Sequence, residues 1–540
     1  MISIVATRAL STLLISVTGL LFLSDQAAAD PTVDGLCRGM APIAVTEFGV
    51  HQRELPSVGV NLPEISDYMR TPVYADLVHR ARRFGSVNEP WDERAFLAED
   101  GWPIGDFGMV VMTAQRGLST TAGTYMLTFE GRATVSLIGS KAKLGRPVYD
   151  ERTHRTVQPI TLGIDTDQLI LQFRDTLNDV KNIKLIRPGY DIDNTPLFTR
   201  DFLDMVRPYA VLRFMDWLRT NNSPVGRWSE RTKPNLTHTH SNRGVPWETV
   251  IDLIRLTGKD AWINVPAMAD DDYIGQLAVL LLSCLPPSTK LYIEYSNEVW
   301  NAQFRQHTQN LDAAVMAVKK NPKSVLVIDG PQPAGILANR RIVWRAKRIS
   351  EIFKDVFGEQ AFNDRVRVVY ATQVVNPTAA DKALAFLELT GHQPKDFFFA
   401  MAGAPYFNLG DKQTANAMST NDVLDALEAS IAELPHVNRL QKNASVANRY
   451  GLQFIAYEGG SDTFGPGSIK AKREAGFSPR MQRLCHDYLE VWREYGGQMM
   501  MWYTAGATDW DTPYGTWGLT TDIALNDTPK IRCLKLEAQR

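Results

Sequence analysis

Four cysteines in 540 residues are too few for a scaffold built on disulfides, and none stands in a CxxC or zinc-finger spacing. Neither charge is in surplus. Lys and Arg total 58 against 60 Asp and Glu, a net charge of −2, so no basic field exists to recruit a nucleic acid. No G-x-G-x-x-G or Walker sequence occurs, and nothing marks a dinucleotide or nucleoside triphosphate site. Beyond residue 23 no apolar run reaches the ~20 uncharged residues of a membrane span. A chain that is 44% hydrophobic and 22% charged is not disordered, collagenous or coiled coil. At this length it can bury a large core unaided. No metal or cofactor is called for. His238 and His240 read as a polar loop, because no third ligand stands nearby.

The first 29 residues carry an address. Arg8 precedes the apolar run ALSTLLISVTGLLFL (9–23), and Ala27-Ala28-Ala29 offers a small-x-small cleavage site. An apolar run this short favours a signal peptide over a membrane anchor. Cleavage near Ala29 removes one positive and one negative group (Arg8, Asp25), so the mature chain keeps its near-neutral charge. The expectation is a secreted or periplasmic bacterial protein, free of the membrane once cleaved. Of the cysteines, Cys284 lies in LAVLLLSCL and reads as a buried thiol, while Cys485 and Cys533 are candidates for a bridge. With Cys37, four cysteines allow three pairings, and the sequence does not choose.

Texture changes near residue 185. In 30–180, GTYMLTFEG (123–131), ATVSLIG (133–139) and QLILQFR (168–174) alternate apolar and polar residues between Gly and Asp/Asn breaks. This predicts an antiparallel β-sandwich, jelly-roll-like, with 85–107 as loop. From 181 to 540, strand and helix patterns alternate. Eight strands are expected, at 180–187, 209–217, 261–266, 291–297, 365–371, 397–404, 452–458 and 498–504. Helical periodicity fills the gaps, clearest at 248–256, 272–283, 342–357 and 480–495. Near-continuous apolar strands suit a parallel sheet buried on both faces. The fold class predicted is α/β, a (β/α)8 TIM barrel behind the β-sandwich. A doubly wound sheet lacks its Gly-rich first turn here.

Chemistry in such a barrel sits at the C-terminal ends of the strands. The fourth ends in Ser296-Asn297-Glu298 and the seventh in Tyr457-Glu458-Gly459-Gly460, placing two carboxylates across the barrel mouth. Retaining glycoside hydrolysis asks for one carboxylic acid to protonate the leaving oxygen and one carboxylate to attack, ~5–5.5 Å apart. Their pKa values must differ, the acid's being raised by its partner's charge and by desolvation. Asn297 is placed to hold the sugar's 2-hydroxyl. Glu294, inside the fourth strand, reads as a buried structural carboxylate paired with a strand arginine, since a lone buried charge is costly. Arg213 is either that partner or a neighbour that keeps the nucleophile ionised. Trp502 reads as a sugar platform. Trp300, Trp228, Trp247, Trp510 and Trp517 divide between core and cleft. Asp216 and Asp511 are rim candidates for sugar hydroxyls.

LYIEYSNEVWN (291–301) and FIAYEGG (454–460) resemble the acid/base and nucleophile strands of the clan A retaining glycoside hydrolases. RFMDWLRTN (213–221), GVPWE (244–248) and GTWG (515–518) resemble exported bacterial cellulase-like or "cellulose-binding" proteins with a β-domain before the barrel. The resemblance spans most of 120–520. It implies Glu298 as acid/base and Glu458 as nucleophile. It also implies substrate-binding roles for Asn297, Arg213, Tyr406 and Trp502, beside which Asp216, Trp300 and Trp510 stand as candidates. Many relatives carry a rim His where this chain has Ala267, which bears on substrate choice and not on the carboxylates.

The activity expected is a glycosidase, an endo-β-glycanase, cleaving a β-linked polysaccharide or oligosaccharide of β-glucan type. The alternative is a non-catalytic carbohydrate-binding protein on the same barrel, whose expected mark is loss of Glu298 or Glu458. A structural envelope protein is the third class, and its barrel mouth need gather no carboxylates. Loop shape governs specificity in this fold, so the sugar and linkage are not read from sequence.

Overall fold

The computed structural model describes residues 37, 39–42, 55–234 and 242–540. The signal-peptide segment and His238 and His240 lie outside the described residues. Among residues 39–540, eight parallel strands close into a barrel: Val58–Asn61, Val211–Arg213, Asp260–Val265, Leu291–Tyr295, Val366–Ala371, Ala400–Gly403, Gln453–Ala456 and Met500–Trp502. The first pairs with both the second (Val60 with Leu212) and the eighth (Val60 with Trp502).

Size alternation fills the interior. Trp262 and Tyr292, stacked 5.6 Å apart, share one core with Ala400, Ala402, Ile455 and Met501. Helices close the outer layer, and local chemistry sets their ends. Asp270 accepts from the Tyr273 amide and begins Asp271–Cys284, with Asp271 and Asp272 in the first turn. Gly258, at φ 64°, ends Trp247–Thr257 and turns the chain straight into the third strand.

Seven of the eight barrel strands fall where the sequence predicts them. The first does not. Lys181–Ile186 is no barrel strand; it pairs antiparallel with Gly123–Glu130. Its Lys184 is exposed while Ile183 and Leu185 are buried, the pattern of a sheet with one wet face. The barrel's first strand is instead Val58–Asn61, so the barrel begins within 30–180, and 180/181 is not its boundary. A Cβ on Gly59 would sit 2.5 Å from the Met501 sulfur and 2.9 Å from the Val211 carbonyl, so a larger residue would push the neighbouring strands aside.

Between the first and second barrel strands the chain makes two antiparallel sheets. One runs in the order Lys181–Ile186, Gly123–Glu130, Arg155–Leu162, Lys143–Leu144, with Val148–Asp150 also on Arg155–Leu162. The other is Gly85–Ser86, Phe107–Met112, Leu169–Arg174, Thr134–Leu137. Both contribute to one apolar core, where Phe107 stacks on Phe173 at 4.5 Å and Phe129 meets Phe173 edge-on.

Cys485–Cys533 joins helix Pro479–Glu494 to the last helix, Pro529–Ala538, across 48 residues. Cys284 is disulfide-bonded too, not the buried free thiol that its apolar surroundings predict. Replacing both Cys485 and Cys533 by serine should lower unfolding free energy by about 2–4 kcal/mol, since a cross-link of this span restricts the unfolded chain. Guanidinium unfolding of the oxidised protein and the double variant measures it.

Candidate active site

Arg213 ends the second strand with no solvent exposure. Its Nη1 donates to Asn61 Oδ1 (2.8 Å) and Glu458 Oε1 (2.7 Å). Its Nη2 donates to Glu294 Oε2 (2.9 Å) and Asn297 Oδ1 (2.8 Å), and Nε reaches the same Glu294 oxygen at 3.2 Å. One side chain thus pairs with both Glu294 and Glu458. Burial works against its charge, but Glu294 and Glu458 outweigh that and raise its pKa above the usual arginine value. Glu294 is equally buried and also accepts from Trp262 Nε1 (2.8 Å) and Asn264 Nδ2 (2.9 Å). Burial raises its pKa against the pull of Arg213.

Glu458 follows the seventh strand and is buried. One oxygen takes Arg213, and the other takes Tyr406 Oη at 2.9 Å. Burial and the Glu458 charge hold the Tyr406 phenol well above its ordinary value, so it stays a donor. Asn297, also buried, is held through Oδ1 by Arg213. Its Nδ2 donates to Asn221 Oδ1 at 3.1 Å, which leaves one N–H to offer elsewhere.

Glu298 has a different setting. The chain leaves the fourth strand through Ser296 and Glu298, both left-handed (φ 57° and 41°), which turns the Glu298 side chain to the barrel mouth. Its oxygens accept from Tyr457 Oη (3.1 Å) and Asn301 Nδ2 (2.9 Å). Burial, then the charge of Glu458, pushes its pKa up to about 7. It lines a cavity of 740 Å³ with Trp300, Asn301, Tyr406 and Tyr457. The two carboxyl groups therefore feel each other, yet the cation serves Glu458 directly. The ion pair is made by Glu458, and the two neutral donors serve Glu298.

Asp216 accepts from Tyr503 Oη at 3.2 Å, and burial, then Glu458 and Glu64, pushes it up to about 7. Two aromatic assignments need correction. Trp502 is 0% exposed and packs against Phe407 and Tyr488, and Trp510 is 1% exposed against Phe477. Neither offers a face to a ligand. The reason is parity: Met499 and Met501 point into the barrel, so Trp502 points to the helix layer and Tyr503 to the mouth. Trp517 lies beside Tyr503 (5.5 Å) and Tyr406 (5.3 Å). Trp247 is core, and Trp228 packs edge-on against Tyr273. Asp511 pairs with Arg473 on the surface, at 3.4 Å. Ala267 is buried, its carbonyl accepting from Tyr295.

Asn61, Tyr457, Asn301 and Tyr503 escaped the sequence reading. Tyr457 and Asn301 each sit close to a candidate carboxylate in sequence, so adjacency to the carboxylates was the available signal. Asn61 had none, because its strand was not recognised. Among the described residues no group of three or more His, Cys, Asp or Glu side chains is arranged to hold a metal ion.

Replacing Arg213 with methionine strands Glu294 and Glu458 in the interior. Loss of about 3–5 kcal/mol of stability is expected on denaturant unfolding, as for other broken buried pairs. Adding Glu294→Gln to that variant should recover part of the loss, because one uncompensated charge is then gone.

No protein-family model matches the sequence, and no curated protein matches it. Solved structures that it resembles include a 4-O-alpha-L-rhamnosyl-beta-D-glucuronidase from Fusarium oxysporum 12S (9% identity, TM-score 0.37), with 63% of each chain covered. The chain thus spans less than two thirds of that enzyme. A GH5-4 broad specificity endoglucanase from Ruminococcus champanellensis matches at 12% identity and TM-score 0.35, covering 64% of this chain and 86% of that one. The CBM22-1-GH10 modules of a Clostridium thermocellum endo-1,4-beta-D-xylanase match at 8% and 0.30, covering 87% and 97%. At TM-scores this low the likenesses lend no weight to any residue's role.

Proposed function

We propose that the protein is a retaining glycoside hydrolase acting within β-linked glycans of β-glucan type. Glu458 is the nucleophile and Glu298 the acid/base. The observation that carries this reading is the unequal wiring of the two carboxylates. Glu458 takes a guanidinium and a phenol, donors that favour the charged form. Glu298 takes two neutral donors, faces the larger cavity and has its pKa pushed up to about 7.

Glu458 Oε2 attacks the anomeric carbon while Glu298 gives its proton to the departing oxygen. The free N–H of Asn297 meets the 2-hydroxyl of the same sugar. Once Glu458 is esterified its charge is gone, and one cause of the raised Glu298 pKa goes with it. Glu298 then titrates lower and is fit to take a proton from the incoming water. A second displacement restores the anomeric configuration. The two antiparallel sheets are read as a β-sandwich accessory module. Export, with cleavage after Ala29, rests on the sequence alone.

The pH dependence has a defined sign. The acid must hold its proton, so kcat/KM on a glycan with a poor leaving group should fall as pH rises through about 7. A dinitrophenyl glycoside, whose leaving group needs no proton, should show that limb flattened.

Product stereochemistry by NMR tests the roles. Azide should rescue Glu298→Ala on an activated aryl β-glycoside and give the β-azide, because the glycosyl-enzyme still forms. With Glu458→Ala it should give the α-azide by direct displacement. Swapped products would reverse the assignments. No turnover of any glycan by the unmutated protein would leave carbohydrate binding without catalysis as the better reading.

A further inference from the structure

A second cavity, of 380 Å³, is lined by neither Glu298 nor Glu458. Glu64, Tyr68, Ala114, Tyr503, Tyr514 and Trp517 line it. It joins the site through two contacts already described: Tyr503 donates to Asp216, and Trp517 lies against Tyr406, which holds Glu458. Glu298 lines the larger cavity and not this one, so a leaving group protonated by Glu298 departs there. The sugar retained on Glu458 and the units attached to it must run the other way.

The character of the smaller cavity fits those units. Tyr68 is 49% exposed, its hydroxyl donating to Glu64 at 3.0 Å, and Tyr514 is 69% exposed, so both aromatic rings reach solvent. The ionic groups beside them are already paired, Glu64 with Arg219 and Arg70 with Asp509. Among the described lining residues a charged ligand finds no unpaired charge, whereas a neutral ring with one apolar face and peripheral hydroxyls finds aromatic surface and polar rims.

The inserted antiparallel sheets build one wall. The loop after Phe107–Met112 supplies Ala114, and it grips the segment that carries Glu64 and Tyr68. Thr113 donates to Asp67 through its amide (2.9 Å) and its hydroxyl (2.7 Å), and Gln115 Nε2 donates to the Met69 carbonyl (3.0 Å). Further along, Ser119 donates twice to Asp522, on the loop that follows Trp517. We infer that this cavity is a distal sugar subsite on the Glu458 side, taking neutral pyranose units of the glycan and completed by the inserted sheets. The inference rests on the glycosidase reading.

The test uses aryl β-glycosides of one, two and three β-1,4-linked units, in glucose, mannose and xylose series, on the full mature chain. In the unmutated protein kcat/KM should climb with chain length. In Tyr514→Ala and in Tyr68→Ala, the ratio of kcat/KM on the trisaccharide to that on the monosaccharide should fall on the order of tenfold, the equivalent of one lost ring-on-ring contact. Tyr514→Phe keeps the flat face and should keep the ratio, which a merely structural defect would not predict. An unchanged ratio in both alanine variants would overturn the subsite while leaving the carboxylate assignment intact. Absence of turnover by the unmutated protein across all three series would overturn the glycosidase reading and the subsite together.

Discussion

The barrel mouth is organised around one guanidinium. Arg213 ties together four barrel strands: its own, the first through Asn61, the fourth through Glu294 and Asn297, and the seventh through Glu458. Burying one cation with two carboxylates is not a cheap way to stabilise a core, since desolvation consumes most of the attraction. What it provides is position. A planar donor with fixed fork geometry leaves little freedom to the groups it bonds. Both the candidate nucleophile and the candidate 2-hydroxyl ligand are among them.

From that centre the electrostatics of the site can be followed outward. Glu458 lies against the cation, Glu298 and Asp216 lie beyond it, and both of these are pushed up to about 7 by burial first and by Glu458 next. Three acidic groups thus share one mouth, with phenols of Tyr406, Tyr457 and Tyr503 as their donors. Environment, not residue type, lifts Glu298 and Asp216 alike.

The sequence shows the barrel well where strands are buried on both faces. LYIEY is uninterrupted core, and the carboxylates are found by counting to the ends of such runs. It fails where the signal is short or a matter of direction. VGVN offers four residues and a glycine, no more than many loops do, yet it closes the barrel and carries Asn61. Lys181–Ile186 has the composition of a strand, but its alternation belongs to a half-exposed sheet. Trp502 and Tyr503 differ by one position, and a residue's place on a strand decides which face it serves. Aromatic type alone pointed to the larger ring. The smaller one reaches the cleft.

The insertion of two sheets between the first and second barrel strands carries a consequence for how the chain comes together. The Asn61 side chain bonds Arg213, Tyr457 and Met501, which are 152, 396 and 440 residues away. As the polypeptide emerges from the ribosome, Val58–Asn61 has no barrel partner until the inserted sheets have been made. It is enclosed on both sides only when the last barrel strand arrives. Contacts of such sequence separation are slow to form, and an apolar edge left open meanwhile invites pairing with other chains. The brevity of that strand then acquires a kinetic sense, because four residues present little edge to a stranger.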